Sequence, residues 1–264
     1  MEPTGRDARR RFAPFLAYVA AFHLLWIAWP VFVYPRLLAV GDRTLAYAAL
    51  NISLRLLVWV VPVLAYLQHV DGVEPLNYLK LRSHVARGLG AALVLTAINL
   101  LGSLARFGVP HVSLERVTWN SVLGTSFLVG FIEEIPYRGF MLQKFAARTG
   151  FWPANLITSL LFLAVHLPGW LALGQLRAAS MVSVFVLGVV LATAFRYADS
   201  LWAPTSRTAR TTACRSSFST CDPTPEQGSG MWARPAPLAL ASLQPTQQLA
   251  RRSGHVRPTP DPAE

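Results

Sequence analysis

Six mainly apolar stretches, each close to the length a bilayer demands, constrain this chain more than any other feature. They run over 12–34, 45–67, 87–107, 119–140, 155–173 and 178–197. A helix needs about 20 such residues to cross the hydrocarbon core. The composition agrees: 53% of the 264 residues are hydrophobic and 14% charged, against about 25% charged in an ordinary soluble domain. The predicted fold is therefore all-α, a polytopic transmembrane helical bundle of about six spans. The net charge of +11 does not imply nucleic acid, because most arginines flank apolar blocks, where they set topology.

Lys and Arg favour one set of loops: Arg6 to Arg11, Lys80, Arg82, Arg87, Lys144, Arg148 and Arg196, against Arg36, Arg43, Arg106, Arg116 and Arg177 on the other side. That bias predicts a multi-pass protein of the cell membrane with both termini cytoplasmic. Tyr34, Tyr66, Trp119, Trp152, Trp170 and Tyr197 fall near the block ends, as interfacial anchors do. The basic start resembles a signal peptide. Its apolar stretch is too long, and no small-residue cleavage site follows, so it reads as an uncleaved first helix. Cys214 and Cys221 are the only cysteines, which leaves no zinc-ribbon or disulfide framework. From residue 205 the chain turns rich in Thr, Ser, Pro, Arg and Gln with no sustained period, which predicts a disordered tail over 205–264 behind a membrane domain over 1–204.

Ionisable residues inside apolar blocks are costly, roughly 2.5–3.5 kcal/mol each at the bilayer centre, and mark functional sites by default. The fourth block holds two adjacent carboxylates, Glu133 and Glu134, with Arg138 following. Glu134 and Arg138 are four apart on one face, acid before base, the favourable order for an ion pair. Glu133 points about 100° away, with no basic residue within one turn on its own face. Pro136 predicts a kink beside the pair, freeing backbone carbonyls. Arg55 interrupts the second block and should face the bundle interior or a polar cavity. In the fifth block, His166 sits well inside the apolar run.

Each of these residues has a plain structural reading. Glu134 with Arg138 serves as an ion pair holding two helices in register, and a lone histidine in a core bonds a backbone carbonyl. Together, a carboxylate pair on one span and an imidazole on the next supply the parts of a water-activating site. The same groups suit zinc, with Glu133 and His166 as ligands if the chemistry is metal-dependent. His23, His69, His84, His111 and His255 lie apart from the motif helices and read as packing or loop residues.

Glu133-Glu134-x-x-x-Arg138, then Phe162-x-x-x-His166, resembles the first two motifs of the CPBP intramembrane proteases, the CAAX prenyl protease 2-like or Abi family. The likeness extends through Gly139-Phe140 and Asp199-Ser200-Leu201-Trp202-Ala203-Pro204, so the motif core covers 119–204. The resemblance implies that Glu133 is the base for water with His166 its partner, that Glu134 and Arg138 support the site, and that the substrate is a membrane-associated peptide or protein. The family has been described both as metalloproteases and as glutamic-type proteases. The HExxH and GxGD signatures of other intramembrane proteases do not occur.

The family pattern continues with a span carrying His-x-x-x-Asn, which this chain lacks. Reading from the third base of codon 205, with Arg as CGN, Thr as ACN, Ala as GCN and Ser as TCN, converts Thr205–Cys214 into codons that allow Ile-Ala-His-Gly-Ala-Asn-Asn-Ser-Leu. The shifted frame thus holds the missing spacing, and we expect a frameshift immediately after Pro204. The leading functional expectation is an endopeptidase acting near the cytoplasmic membrane face through Glu/His-activated water. The alternative is a non-catalytic membrane scaffold or bacteriocin-immunity-like protein with an incomplete site. A proton-relay transporter is a third reading, opposed by the lack of inverted repeats.

Overall fold

The apolar blocks form helices. The computed structural model describes residues 5–41, 43–108, 118–120 and 129–205, and all regular structure among them is helical. Helix α1 (Gly5–Phe32) leads into the short α2 (Tyr34–Leu38). Next, α3 (Leu45–Arg55), a π-helical turn π1 (Leu56–Val60) and α4 (Val61–His69) run as one rod. A short α5 (Pro75–Tyr78) precedes α6 (Val85–Phe107). The motif rod comprises α7 (Val129–Glu134), a second π-helical turn π2 (Ile135–Leu142) and α8 (Gln143–Thr149). Then come α9 (Phe151–Ala164), α10 (Leu167–Ala172) and α11 (Ala178–Ala198).

Five stretches among the described residues are long and apolar enough to cross a membrane: Phe12–Phe32, Leu45–His69, Val85–Gly102, Phe151–Ala172 and Ala178–Ala198. Their outward faces carry Leu24, Val31, Leu93, Leu101, Leu160 and Val182, all more than half exposed. A surface so apolar suits lipid rather than water. The sixth expected span, 119–140, falls partly on residues 121–128, outside the described residues. Its described part continues as helix to Thr149, well past the expected end. The tail from residue 206, with Cys214, Cys221 and the proposed change of frame, also lies outside the described residues, as do His111 and Arg116.

Local sequence explains the boundaries. Thr44 caps α3 by accepting from the Tyr47 amide at 3.0 Å. Glu74 caps α5 through the amides of Leu76 and Asn77, with Pro75 in the first turn, where its missing N–H costs nothing. Gly150 adopts φ 79° between α8 and α9, a conformation that suits glycine and lets the chain double back. Each π turn sits beside a proline, Pro62 after π1 and Pro136 inside π2. A proline ring cannot donate to the carbonyl four residues back and crowds it, and widening the turn relieves both problems. The expected kink at Pro136 thus takes the form of a π turn.

One expectation needs correction. Tyr34, Tyr66 and Trp170 are buried in the bundle rather than set at an interface, whereas Trp119, Trp152 and Tyr197 are exposed. The first three join an aromatic and aliphatic core with Phe15, Phe22, Trp26, Trp59, Tyr137, Phe140 and Phe162. The expected span over 155–173 is present within Phe151–Ala172, with an interruption after Ala164. Pro168 has no N–H for the Ala164 carbonyl, so α9 ends and α10 restarts, with His166 at the junction.

The most extensive pairing joins α9 to α11. Gly188 lets the backbones close, since a Cβ there would come within 3.0 Å of Ser159. Asn155 bridges the pair by donating to the Val189 carbonyl at 3.2 Å and to Thr193 Oγ1 at 3.3 Å. Small residues and shared amides are what hold helices together where lipid removes the hydrophobic drive. At one end of the bundle the 79–88 segment clasps the turn after α11. Trp202 donates to the Leu81 carbonyl at 2.8 Å, Leu201 N–H to the Lys80 carbonyl at 3.3 Å, and Asp199 pairs with Lys80 and His84.

Candidate active site

The two adjacent carboxylates occupy different environments. Glu134 is 0% exposed, and Arg138, at 1%, donates to its Oε1 at 3.0 Å. This is the i, i+4 pair expected from spacing. Arg138 does more than answer Glu134. Its second amino group donates to the Gly188 carbonyl on α11 at 3.3 Å, and its guanidinium lies 4.3 Å from the Phe162 ring centroid on α9. One cation therefore ties the motif rod to both neighbouring helices, and a guanidinium is suited to this because it donates in a plane and stacks on an aromatic face at once.

Glu133, one residue earlier, is half-buried. No hydrogen bond to its carboxylate occurs among the described residues. Its charged neighbours are Arg55 and Arg138. Arg138 is committed to Glu134 and Gly188, so Arg55 is the cation whose role the spacing of the fourth block could not reveal.

His166 stands half-buried at the α9–α10 junction. Its Nδ1–H donates to the Phe162 carbonyl at 2.7 Å, and its ring lies against Phe162 and Trp170, with centroids 4.9 and 5.6 Å away. That bond places the lone pair of the neutral ring on Nε2. Phe162 thus connects the motifs: its ring underlies Arg138 and its carbonyl fixes His166. No direct hydrogen bond joins Glu133 to His166, although π2 and α9 pack together.

The sequence places His23 apart from the motif helices, but in the fold it lies against them. It contacts the Tyr137 hydroxyl at 3.3 Å and the Leu161 carbonyl at 3.4 Å, while its Nδ1 bonds the Val19 carbonyl at 2.7 Å. Helix α1 is therefore part of the wall around the motif rod. Trp26, one turn on, donates to the Val165 carbonyl at 2.8 Å, beside His166. His84 does lie in a loop, where it meets Asp199 at 3.3 Å.

Among the described residues, no three His, Cys, Asp or Glu side chains gather in a way that could hold a metal ion. A catalytic zinc takes three protein ligands, so Glu133 and His166 as a pair fall short of that set, and no step is derived through a metal.

Among the described residues, an all-helical bundle with five helices long and apolar enough to cross a membrane, and a buried carboxylate–guanidinium pair beside a half-buried carboxylate, defines a multi-pass membrane protein with a buried polar site. Residues 115–206 match the family described as type II CAAX prenyl endopeptidase Rce1-like. Over that segment the chain is similar to the CPBP intramembrane proteases. Comparison with curated proteins and with solved structures gave no match.

Proposed function

We propose that the protein is an intramembrane endopeptidase in which Glu133 acts as general base. Glu133 takes a proton from a water molecule as the water oxygen attacks a peptide carbonyl carbon. His166, its tautomer set by the Phe162 carbonyl, orients that water by accepting a hydrogen bond at Nε2, and the proton taken up by Glu133 is passed to the departing amine as the C–N bond breaks. Glu134 and Arg138 hold the rod that carries the base. The observation that carries this reading is the unequal setting of the two glutamates: Glu134 is sealed and paired, whereas Glu133 is half-buried and makes no hydrogen bond among the described residues. A residue kept accessible at that cost inside a membrane protein is kept for chemistry.

The family description supplies the substrate class to try first, a prenylated peptide ending in Cys-aliphatic-aliphatic-X. Cleavage should occur near the cytoplasmic membrane face, the side towards which the charge bias directs the motif rod. The membrane domain spans 1–204, and we attribute the 205–264 segment to translation out of frame. The family match ends at residue 206, where the composition changes, which supports that attribution. Nucleotide sequencing across codon 204 tests it; the alternative frame must open an apolar helix with the His-x-x-x-Asn spacing.

The activity test reconstitutes the chain, and a version with its frame shifted after Pro204, in vesicles with a farnesylated Cys-aliphatic-aliphatic-Met peptide. The expected result is release of the terminal tripeptide by the frame-shifted version, with wild-type Glu133 required. Cleavage undiminished in Glu133→Gln would overturn the assignment.

A further inference from the structure

We propose that Arg55, on the second span and outside the segment matched to the family, is a positioning residue of this site, orienting the Glu133 carboxylate and offsetting its charge. The proposal rests on the reading of Glu133 as base and extends the site to the N-terminal helices.

Four observations converge on Arg55. It closes α3 immediately before π1, and π1 packs against both α7, which ends in the two glutamates, and π2. Its guanidinium lies 5.7 Å from the Trp26 ring centroid, and Trp26 is pinned to the Val165 carbonyl beside His166. Its Nε is buried and makes no hydrogen bond among the described residues. Its charge and that of Glu133 act on each other, with Tyr47 and Tyr34 as the other ionisable groups around it.

These observations favour Arg55 over Arg138 as the counter-charge for the base. Arg138 directs one amino group to Glu134 and the other to the Gly188 carbonyl, and of the two cations that act on Glu133 the larger effect comes from Arg55. A buried charge without a partner is strongly disfavoured, so each of Arg55 and Glu133 accounts for the other's presence. The proline-linked π turns fit the same scheme. Both rods are locally widened where they meet, and such turns recur at functional sites. Arg55 acts through Glu133 rather than on the peptide.

Two measurements on the full chain test this. The first needs no activity: thermal unfolding in detergent of wild type, Arg55→Met, Glu133→Gln and the double variant. Arg55→Met should lower Tm in the wild-type background and leave it unchanged or raised in the Glu133→Gln background. Equal shifts in both backgrounds would overturn the pairing. The second uses the farnesylated peptide in phosphatidylcholine–phosphatidylglycerol vesicles with the frame-shifted version. Arg55→Met should lower kcat on the order of 10²-fold, the lower end of what a general base contributes, with KM little changed and much of the loss recovered in Arg55→Lys. A kcat retained in Arg55→Met alongside an inactive Glu133→Gln would overturn the positioning role alone. Activity retained in Glu133→Gln would instead overturn the base.

Discussion

Arg138 shows how one side chain ties three helical elements together. It is buried and meets Glu134, the Gly188 carbonyl and the Phe162 ring. Removing one member of a buried ion pair leaves an uncompensated charge and costs about 3–5 kcal/mol, whereas replacing both with apolar residues of similar volume is close to neutral. Arg138→Met should therefore lower Tm sharply in detergent, and Glu134→Leu combined with Arg138→Met should restore much of the loss. Similar melts for the single and double variants would contradict the pairing. At His166, substitution by Ala should suppress cleavage of the farnesylated peptide on the order of 10²-fold without a comparable fall in Tm. The Glu134–Arg138 pair was legible in the sequence because an i, i+4 spacing is a local property. The surroundings of Glu133 were not. Arg55 and His23 reach the motif rod from other helices, and no spacing within the fourth block encodes which rotations the first two rods adopt. The one available signal was that an arginine in an apolar block must turn inward, and the Arg55 guanidinium does lie 5.7 Å from the ring of the buried Trp26.

Prolines and small residues decide where the helical elements bend and how closely they approach. Pro62 and Pro136 accompany π turns, and Pro168 ends α9 and puts His166 at a junction. The sequence announced a disturbance at Pro136 but not its form. A π turn and a kink are alternative answers to the same missing donor, and neighbouring helices choose between them. At the α9–α11 contact, Gly188→Leu should push a side chain into Ser159 and destabilise the bundle by about 1–3 kcal/mol, the range for overpacking. A Tm equal to wild type would mean that the helices can separate there freely. The clasp after α11 has a pH dependence of definite sign. A hydrogen bond from Lys80, aided by its charge and by His84, holds the Asp199 carboxyl below its ordinary range, and burial opposes only part of this. A depressed folded-state value means the stabilisation is fully present above the ordinary carboxylate range, near pH 4, and is lost as pH falls through the lowered value. Melting of wild type between pH 6 and pH 3 should fall more than melting of Asp199→Asn, with the difference confined to the acid end. Parallel curves would contradict the assignment.

At the scale of the whole molecule, the described residues combine an apolar exterior with an aromatic-rich core that holds few polar groups, as a membrane protein requires. Block length and hydropathy were enough to read the all-helical fold, because hydrocarbon imposes a length and a backbone hydrogen-bonding rule that few sequences meet by chance. Burial within the bundle was harder to read. An apolar span looks the same whether it faces lipid or protein, so Tyr34, Tyr66 and Trp170 read as anchors although they lie inside. The proposed division of labour between neighbouring carboxylates is read directly by one paired comparison: cleavage and Tm for Glu133→Gln and Glu134→Gln in the same vesicle and detergent preparations. Glu133→Gln should be inactive and as stable as wild type or more so, whereas Glu134→Gln should melt lower, having lost its charge against Arg138. Full cleavage by Glu133→Gln, or a stability loss that falls on Glu133→Gln alone, would contradict the account.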